Sequence, residues 1–284
     1  PVDNRFLLIV ALFTIDSVHF VFARLLLPHV APAASAFYVI GVATVEVVLF
    51  NLVRGRLSFR ALRQRPWPFL AIGFLIAAST NLDYEAVAFI DAGTASLLGQ
   101  ATTLFSVGLG LFWLRDRLTR GQAFGMLLAL AGVVVITLQP GDYFRLGSLL
   151  VLISAFMYAL HAAIAKRYGQ DMLFTDFFVA RLLCTTAFLF AFVLGRRALV
   201  WPAGHVWPLL VLTGTVDVAI SRALYYTALR RLRLSVHAIV LTLSPVAALG
   251  WSLWLFDTLP TAQQLLGGVA VIAGVAVVTW RRRR

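Results

Sequence analysis

The chain has 284 residues, of which 61% are hydrophobic and 13% charged, with a net charge of +12. A soluble domain carries about a quarter of its residues charged, so this sequence cannot cover a water-facing surface, and lipid must be the solvent for most of its outside. The arginines sit in short gaps between apolar runs, which fits a membrane surface better than nucleic acid, and the single Cys184 excludes an internal disulfide and a thiolate metal site.

A helix needs about 20 apolar residues to cross a hydrocarbon core of ~30 Å. Ten runs meet that length, at 5–27, 33–53, 67–89, 92–114, 121–139, 145–167, 172–195, 205–229, 235–256 and 262–280. The first reads as a span and not as a signal peptide, whose apolar core is about 7–15 residues long. It carries Asp16 and His19 in the stretch TIDSVHFVFAR. Three residues apart, the two share one helix face. Ionisable groups in hydrocarbon are costly and usually face a cavity or a partner, so this pair is a candidate site. Its alternative role is to join helices.

The second span carries Glu46. The third carries Thr80, Asn81, Asp83, Tyr84 and Glu85. Thr80 and Tyr84 share a face, whereas Asp83 and Glu85 lie toward the outer end, within reach of water, and a solvated role is expected of Glu85. The fourth offers Gln100 and Thr103. The fifth and tenth hold Gly125 and Gly132, and Gly267, Gly268 and Gly274. Their seven-residue spacings put small residues on one face, which marks packing helices, between halves or between subunits.

The sixth span repeats the first. YALHAAIAK brings His19 back as His161, 142 residues on, with Tyr158 in place of Asp16. The seventh places Arg181 midway along its length. It is expected in a structural ion pair with Glu46 or Asp217, against the alternative of binding a substrate anion. The eighth bears Asp217, Ser221 and Tyr225 every four residues, and also Arg222. Ser221 and Tyr225 match Thr80 and Tyr84 in the repeat. Each hydroxyl could equally bond its own backbone, and each tyrosine could equally be core. The ninth carries His237, Ser244 and Pro245. Pro245 removes a backbone donor and is expected as a cavity-lining hinge.

The repeat extends through LDYEAVAF against ALYYTALR and LFWLRDRL against SLWLFDTL, so the units are 1–140 and 143–284. Five spans each, joined by a short link, make the second unit enter the bilayer from the opposite side. The expected fold is an all-α integral membrane protein of ten helices in two inverted repeats, with a substrate site between them. Eighteen arginines and lysines fall on the side of both termini against four on the other. The positive-inside rule then makes both termini cytoplasmic, and the RRRR tail is a topology determinant. Trp67, Trp113, Trp201, Trp207, Trp254 and Trp280 lie near span ends, whereas Trp251 is deeper.

The segment LSPVAALGWSLWLFDTLPTAQQLLGGVAVIAGV, residues 243–275, resembles the end of an EamA-type unit of the drug/metabolite transporter superfamily. Leu243-Ser-Pro245, the acidic Asp257 and the Gly-rich last helix carry the likeness. Asp116 and Asp257 stand where that family has Glu, and Leu104 replaces the proline in the first unit. The resemblance covers both halves. It implies a transporter and says almost nothing of the substrate. Within the family, the aromatic lining resembles that of exporters of aromatic amino acids.

The expected function is a secondary transporter or facilitator that exports small organic solutes, aromatic amino acids foremost, by alternating access. The site residues are His19, Asp16, Thr80, Tyr84, Gln100, Thr103, Tyr158, His161, Ser221, Tyr225 and Ser244. One rival is a nucleotide-sugar or sugar-phosphate carrier, which needs cations at the midplane; only Arg181 and Arg222 qualify. Another is an intramembrane enzyme or lipid-binding scaffold. No catalytic, phosphate-loop or metal spacing is present, so no enzyme activity, cofactor or metal is expected. The expected partners are a small-molecule substrate and the lipid bilayer, with no nucleic acid. A monomer suffices and a dimer is compatible. The expected location is the bacterial plasma (inner) membrane.

Overall fold

The computed structural model describes residues 14–15, 17–113, 120–137, 146–168, 173–224, 244–257 and 260–279. Among them every regular element is helical and there is no strand. The helices are α1 (His19–Leu26), α2 (Pro32–Val53), α3 (Pro66–Ala86), α4 (Ala92–Gly99), α5 (Ala101–Trp113), α6 (Arg120–Thr137), α7 (Leu146–Tyr168), α8 (Phe174–Gly195), α9 (Trp207–Thr213), α10 (Ser244–Phe256) and α11 (Ala262–Thr279). A short helix, Arg60–Gln64, precedes α3.

Prolines open several of these helices. Pro32, Pro66 and Pro208 occupy first-turn positions, where a missing N–H costs no helical bond. Among the described residues, four helical stretches are long and apolar enough to cross a membrane: Pro32–Val53, Leu146–Ala165, Phe174–Gly195 and Gly204–Leu224. Their few polar side chains stand out against a mainly apolar composition, as in spans buried in lipid and protein. Leu49, Phe50, Val53, Leu70, Phe124, Leu127 and Leu266 are all exposed on the outside. That is the surface lipid would cover.

The helices of the two halves interleave. α3 packs against α7 and α8, α2 against α8, α4 against α10, α5 against α7, and α6 against α11. The glycines explain the tightest of these contacts. A Cβ on Gly132 would lie 2.5 Å from the Gly267 carbonyl oxygen, and one on Gly125 2.7 Å from that of Gly274. α6 and α11 therefore meet backbone to backbone. The small-residue faces seat one half on the other within the chain. A second close approach joins α3 and α8, where a Cβ on Gly73 would lie 2.6 Å from the Cβ of Cys184.

Three helices depart from regular winding, and all three departures are near polar residues. α1 starts only at His19, after a turn at Ser17–Val18 in which the Ser17 hydroxyl donates to the Thr14 carbonyl at 2.7 Å. The fourth span is split at Gln100, whose N–H turns back to the Leu97 and Leu98 carbonyls. α9 continues into a π-helical stretch, Gly214–Ile220, centred on Asp217, and then into α-helix again at 221–224. π-turns are uncommon and concentrate at functional sites. Gly214 permits this one to sit tight on α2, since a Cβ there would lie 2.8 Å from the Val39 carbonyl oxygen.

Candidate functional site

The irregular turns converge on His19. Its Nδ1 lies 2.8 Å from Oδ2 of Asp217, in the π-helical stretch, and its Nε2 lies 3.6 Å from Oδ2 of Asp83, on α3. The first contact is a hydrogen bond; the second is too long for one and is an electrostatic neighbour. Asp217 is 3% exposed, so the ring supplies the polar partner that a buried carboxylate needs. The Ser154 hydroxyl of α7 is an electrostatic neighbour of Asp83. The Tyr84 ring stands edge-on to His19, with centroids 6.0 Å apart. Trp251 of α10 donates from Nε1 to the Ser17 hydroxyl at 3.0 Å, fixing the turn ahead of His19. One imidazole thus joins α1, α3 and the π-helical stretch, and the polar shell adds α7 and α10.

A second polar cluster lies along α7. Tyr158 and His161 rings are in edge contact at 4.4 Å. The Arg222 guanidinium sits 5.7 Å above the Tyr158 ring. Arg181, on α8, is 4% exposed and lies over the Phe178 ring at 5.4 Å. Both guanidiniums are close enough to bear electrostatically on His161. Arg181 does not form the ion pair expected of it. Glu46 instead accepts from the Thr215 hydroxyl at 2.6 Å, and Asp217 is held by His19.

Six buried side-chain atoms among the described residues have no hydrogen-bond partner: Asn81 Oδ1, Tyr84 Oη, Ser148 Oγ, His161 Nδ1, Arg181 Nε and Ser221 Oγ. Buried polar atoms are normally paired, and a ligand site is one reason for an exception. Tyr84, His161 and Ser221 were singled out from sequence as substrate-binding, and Arg181 as structural. The remaining expected residues are placed as follows. Thr80 and Ser244 are buried, Tyr158 is half-buried, and Gln100 is half-buried at the α4–α5 break. Thr103 lies on α5, and Pro245 is the second residue of the described part of α10. Asp16 and Tyr225 lie outside the described residues.

His19 and His161 have different polar neighbours, two carboxylates for the first and Tyr158 for the second. Asp83 is the residue that sequence reasoning set aside. Its place toward the outer end of the span left it out of the candidate site, whereas Glu85, of which a solvated helix end was expected, accepts from Asn81 at 3.0 Å and pairs with the exposed Arg196. A cavity of about 180 Å³ opens farther along, lined by Arg24, Asp91, Ser252 and Phe256 among others, and His19, Asp83 and Asp217 do not line it.

Comparison with known proteins is decisive at the family level. The description "EamA-like transporter family" matches twice, at residues 5–138 and at 145–280. The chain belongs to the EamA-like transporter family. The EamA-like chain is therefore an integral membrane protein of a family of transporters and not of enzymes. It is 29% identical over 195 residues to the uncharacterised transporter YdfC of Bacillus subtilis. That match takes in 66% of this chain and 62% of YdfC, less than two thirds of the relative's length. It is 27% identical over 260 residues to a probable terminal-alkyne amino-acid exporter of Streptantibioticus cattleyicolor, covering 85% of this chain and 84% of the relative. A solved crystal structure shares the fold with a TM-score of 0.68 at 20% identity, over 97% of each chain.

Proposed function

We propose that this EamA-like protein is a ten-span secondary transporter that exports small organic solutes, amino acids foremost, by alternating access. Its units, 1–140 and 143–284, are inverted five-span repeats. It works in the bacterial plasma membrane with both termini cytoplasmic, and one copy suffices. The observation that carries this reading is His19 held between Asp83 of the first half and Asp217 of the second. Inverted-repeat transporters bind at the interface of their halves, and a charged link across that interface is where binding and rocking can be coupled.

The chemistry suits an amine. A substrate ammonium has the charge and donors to replace the imidazole at Asp217 and Asp83. While His19 bridges them, α1, α3 and the π-helical stretch are tied together; a substrate that takes over the carboxylates releases that tie. The emptied site then restores it. Two likenesses support amino acids as the class. One is the relative bearing the name of a probable terminal-alkyne amino-acid exporter. The other is the aromatic lining, which resembles that of the aromatic amino-acid exporter YddG. A sugar-phosphate or nucleotide-sugar carrier is the rival in kind, supported by the cations Arg181 and Arg222 near His161.

The test is uptake into proteoliposomes of labelled tryptophan, phenylalanine, threonine and a nucleotide sugar, with and without a pH gradient. Saturable amino-acid uptake, lost in Asp217→Asn, is the expected result. Uptake of the nucleotide sugar alone would replace this reading with its rival.

A further inference from the structure

The cavity of about 180 Å³ away from His19 is lined by two charges of opposite sign, Arg24 and Asp91, that do not pair with each other. We propose that it is an exit subsite, in which the exported solute is held as a zwitterion, carboxylate on Arg24 and ammonium on Asp91, at the outer end of its path. This rests on the amino-acid reading given above and deepens it.

Arg24 lies in the last turn of α1 and is half-buried. One of its N–H groups donates to the carbonyl of Val87, the C-cap of α3. A guanidinium carries five N–H donors, so this bond, which serves a helix end, leaves donors over. Among the described residues no carboxylate lies within ion-pair distance of Arg24. Asp91 is the N-cap of α4. Its Oδ1 accepts from the Thr94 N–H at 2.8 Å and its Oδ2 from the Thr94 hydroxyl at 2.6 Å. A carboxylate offers about four acceptor positions, so each oxygen keeps one. No described cation lies within ion-pair distance of Asp91 either. Capping alone needs no charge, since asparagine and serine cap as well as aspartate. Two opposite charges on one cavity, each with bonding capacity left, are completed by a ligand that bears both signs.

Size sets the class of that ligand. An apolar cavity of about 150 Å³ takes a benzene. A cavity of about 180 Å³ therefore takes a solute of an amino acid's size and excludes a nucleotide sugar. The planar guanidinium matches the two oxygens of a carboxylate, Asp91 accepts from the ammonium, and the Phe256 ring is an apolar wall for the side chain. Both units contribute to the cavity. Arg24 and Asp91 belong to the first, and Ser252 and Phe256, on α10, to the second. Inverted-repeat transporters hold their solutes between the halves. Arg24 is five residues beyond His19 on α1, about 7.5 Å along the helix axis. In the proposed topology that direction is outward, so the cavity lies on the side on which an exported solute leaves.

Cysteine labelling reads this cavity without transport. In the purified full chain carrying Cys184→Ser, Ala88→Cys puts a thiol on the exposed wall of the cavity, and its rate of reaction with a maleimide is measured. The probes are L-threonine and L-phenylalanine, each with its amide and its N-acetyl derivative. At least one of the two amino acids is expected to slow labelling at least threefold, and its amide, which lacks the carboxylate, is expected not to. Arg24→Gln is expected to abolish the protection. Asp91→Asn, which keeps the cap, is expected to lower it to that of the N-acetyl derivative, which lacks the ammonium. Asp217→Asn is expected to keep the protection while losing uptake. No protection by either amino acid, or equal protection by the amide, overturns the exit subsite even where amino acids are transported. So does protection that is unchanged in Arg24→Gln or, where that variant does not fold, in Asp91→Asn. Protection that disappears in Asp217→Asn assigns the effect to the site around His19 and overturns the subsite as well. Protection that needs Arg24, in a protein that carries no amino acid, keeps the zwitterion site and overturns the transport reading.

Discussion

Two acidic residues one position apart from a common neighbour have unlike fates. Asp83 and Glu85 flank Tyr84 on α3, and successive residues are 100° apart on a helix, so the two carboxylates point to nearly opposite sides. Asp83 turns inward to His19 and Ser154, whereas Glu85 meets Arg196 at the surface. Asp83→Asn is therefore expected to reduce saturable uptake in proteoliposomes at least tenfold while leaving expression intact. Glu85→Gln is expected to leave uptake within twofold, because a surface ion pair is worth about 0–1 kcal/mol. Hydropathy alone could not tell these residues apart. Both stand near the same end of one apolar run, and only the partner helices decide which carboxylate is enclosed. Arg181 gives the converse lesson. Its placement in mid-span was legible, but Glu46 and Asp217, the partners expected by charge, are engaged by Thr215 and His19 instead. With no ion pair to break, Arg181→Met is expected to express and unfold within a few degrees of the wild type, measured by thermal unfolding in detergent.

At the scale of elements, glycine decides how closely helices meet, and the outcome differs by position. Gly132 of α6 has no room for a Cβ, which would lie 2.5 Å from the Gly267 carbonyl oxygen. Gly41 of α2 has nothing within 4 Å of the same added atom. Gly132→Val is expected to push α6 off α11 and cost about 1–3 kcal/mol, the range for overpacking. Gly41→Ala is expected to be neutral or to stabilise by up to about 1 kcal/mol, the helix preference of alanine over glycine. Thermal unfolding of the two purified variants checks the sign of each. The seven-residue spacing of the glycines predicted a packing face from sequence, and the contact is between the halves. The π-helical stretch was not legible. Gly214–Ile220 reads as ordinary apolar helix with Asp217 on a four-residue stripe, and a one-residue widening of a turn leaves no mark on hydropathy. The split at Gln100 was equally silent, because the run on either side of it is continuously apolar.

For the whole molecule, the repeat was legible because it is written twice. His19 and His161 recur at one offset and the family match falls separately on 5–138 and 145–280. What repeats in sequence does not repeat in role. His19 is enclosed by acids and His161 is attended by arginines. The sidedness of this arrangement follows from charge. Arg54, Arg56, Arg60, Arg63 and Arg65 are exposed between α2 and α3, while the exposed segment after α8 carries Arg196 and Arg197 and then Trp201. Basic loops are retained in the cytoplasm, so the proposed topology predicts that the two segments lie on opposite faces of the membrane. In a Cys184→Ser background, Arg56→Cys is expected to react with a membrane-impermeant maleimide only after the cells are opened. Ala203→Cys, exposed on the other segment, is expected to react in intact cells. The reverse pattern would invert the molecule and turn the proposed export into import. Equal labelling of both positions in intact cells would place them on one face, and the ten-span inverted arrangement could not stand.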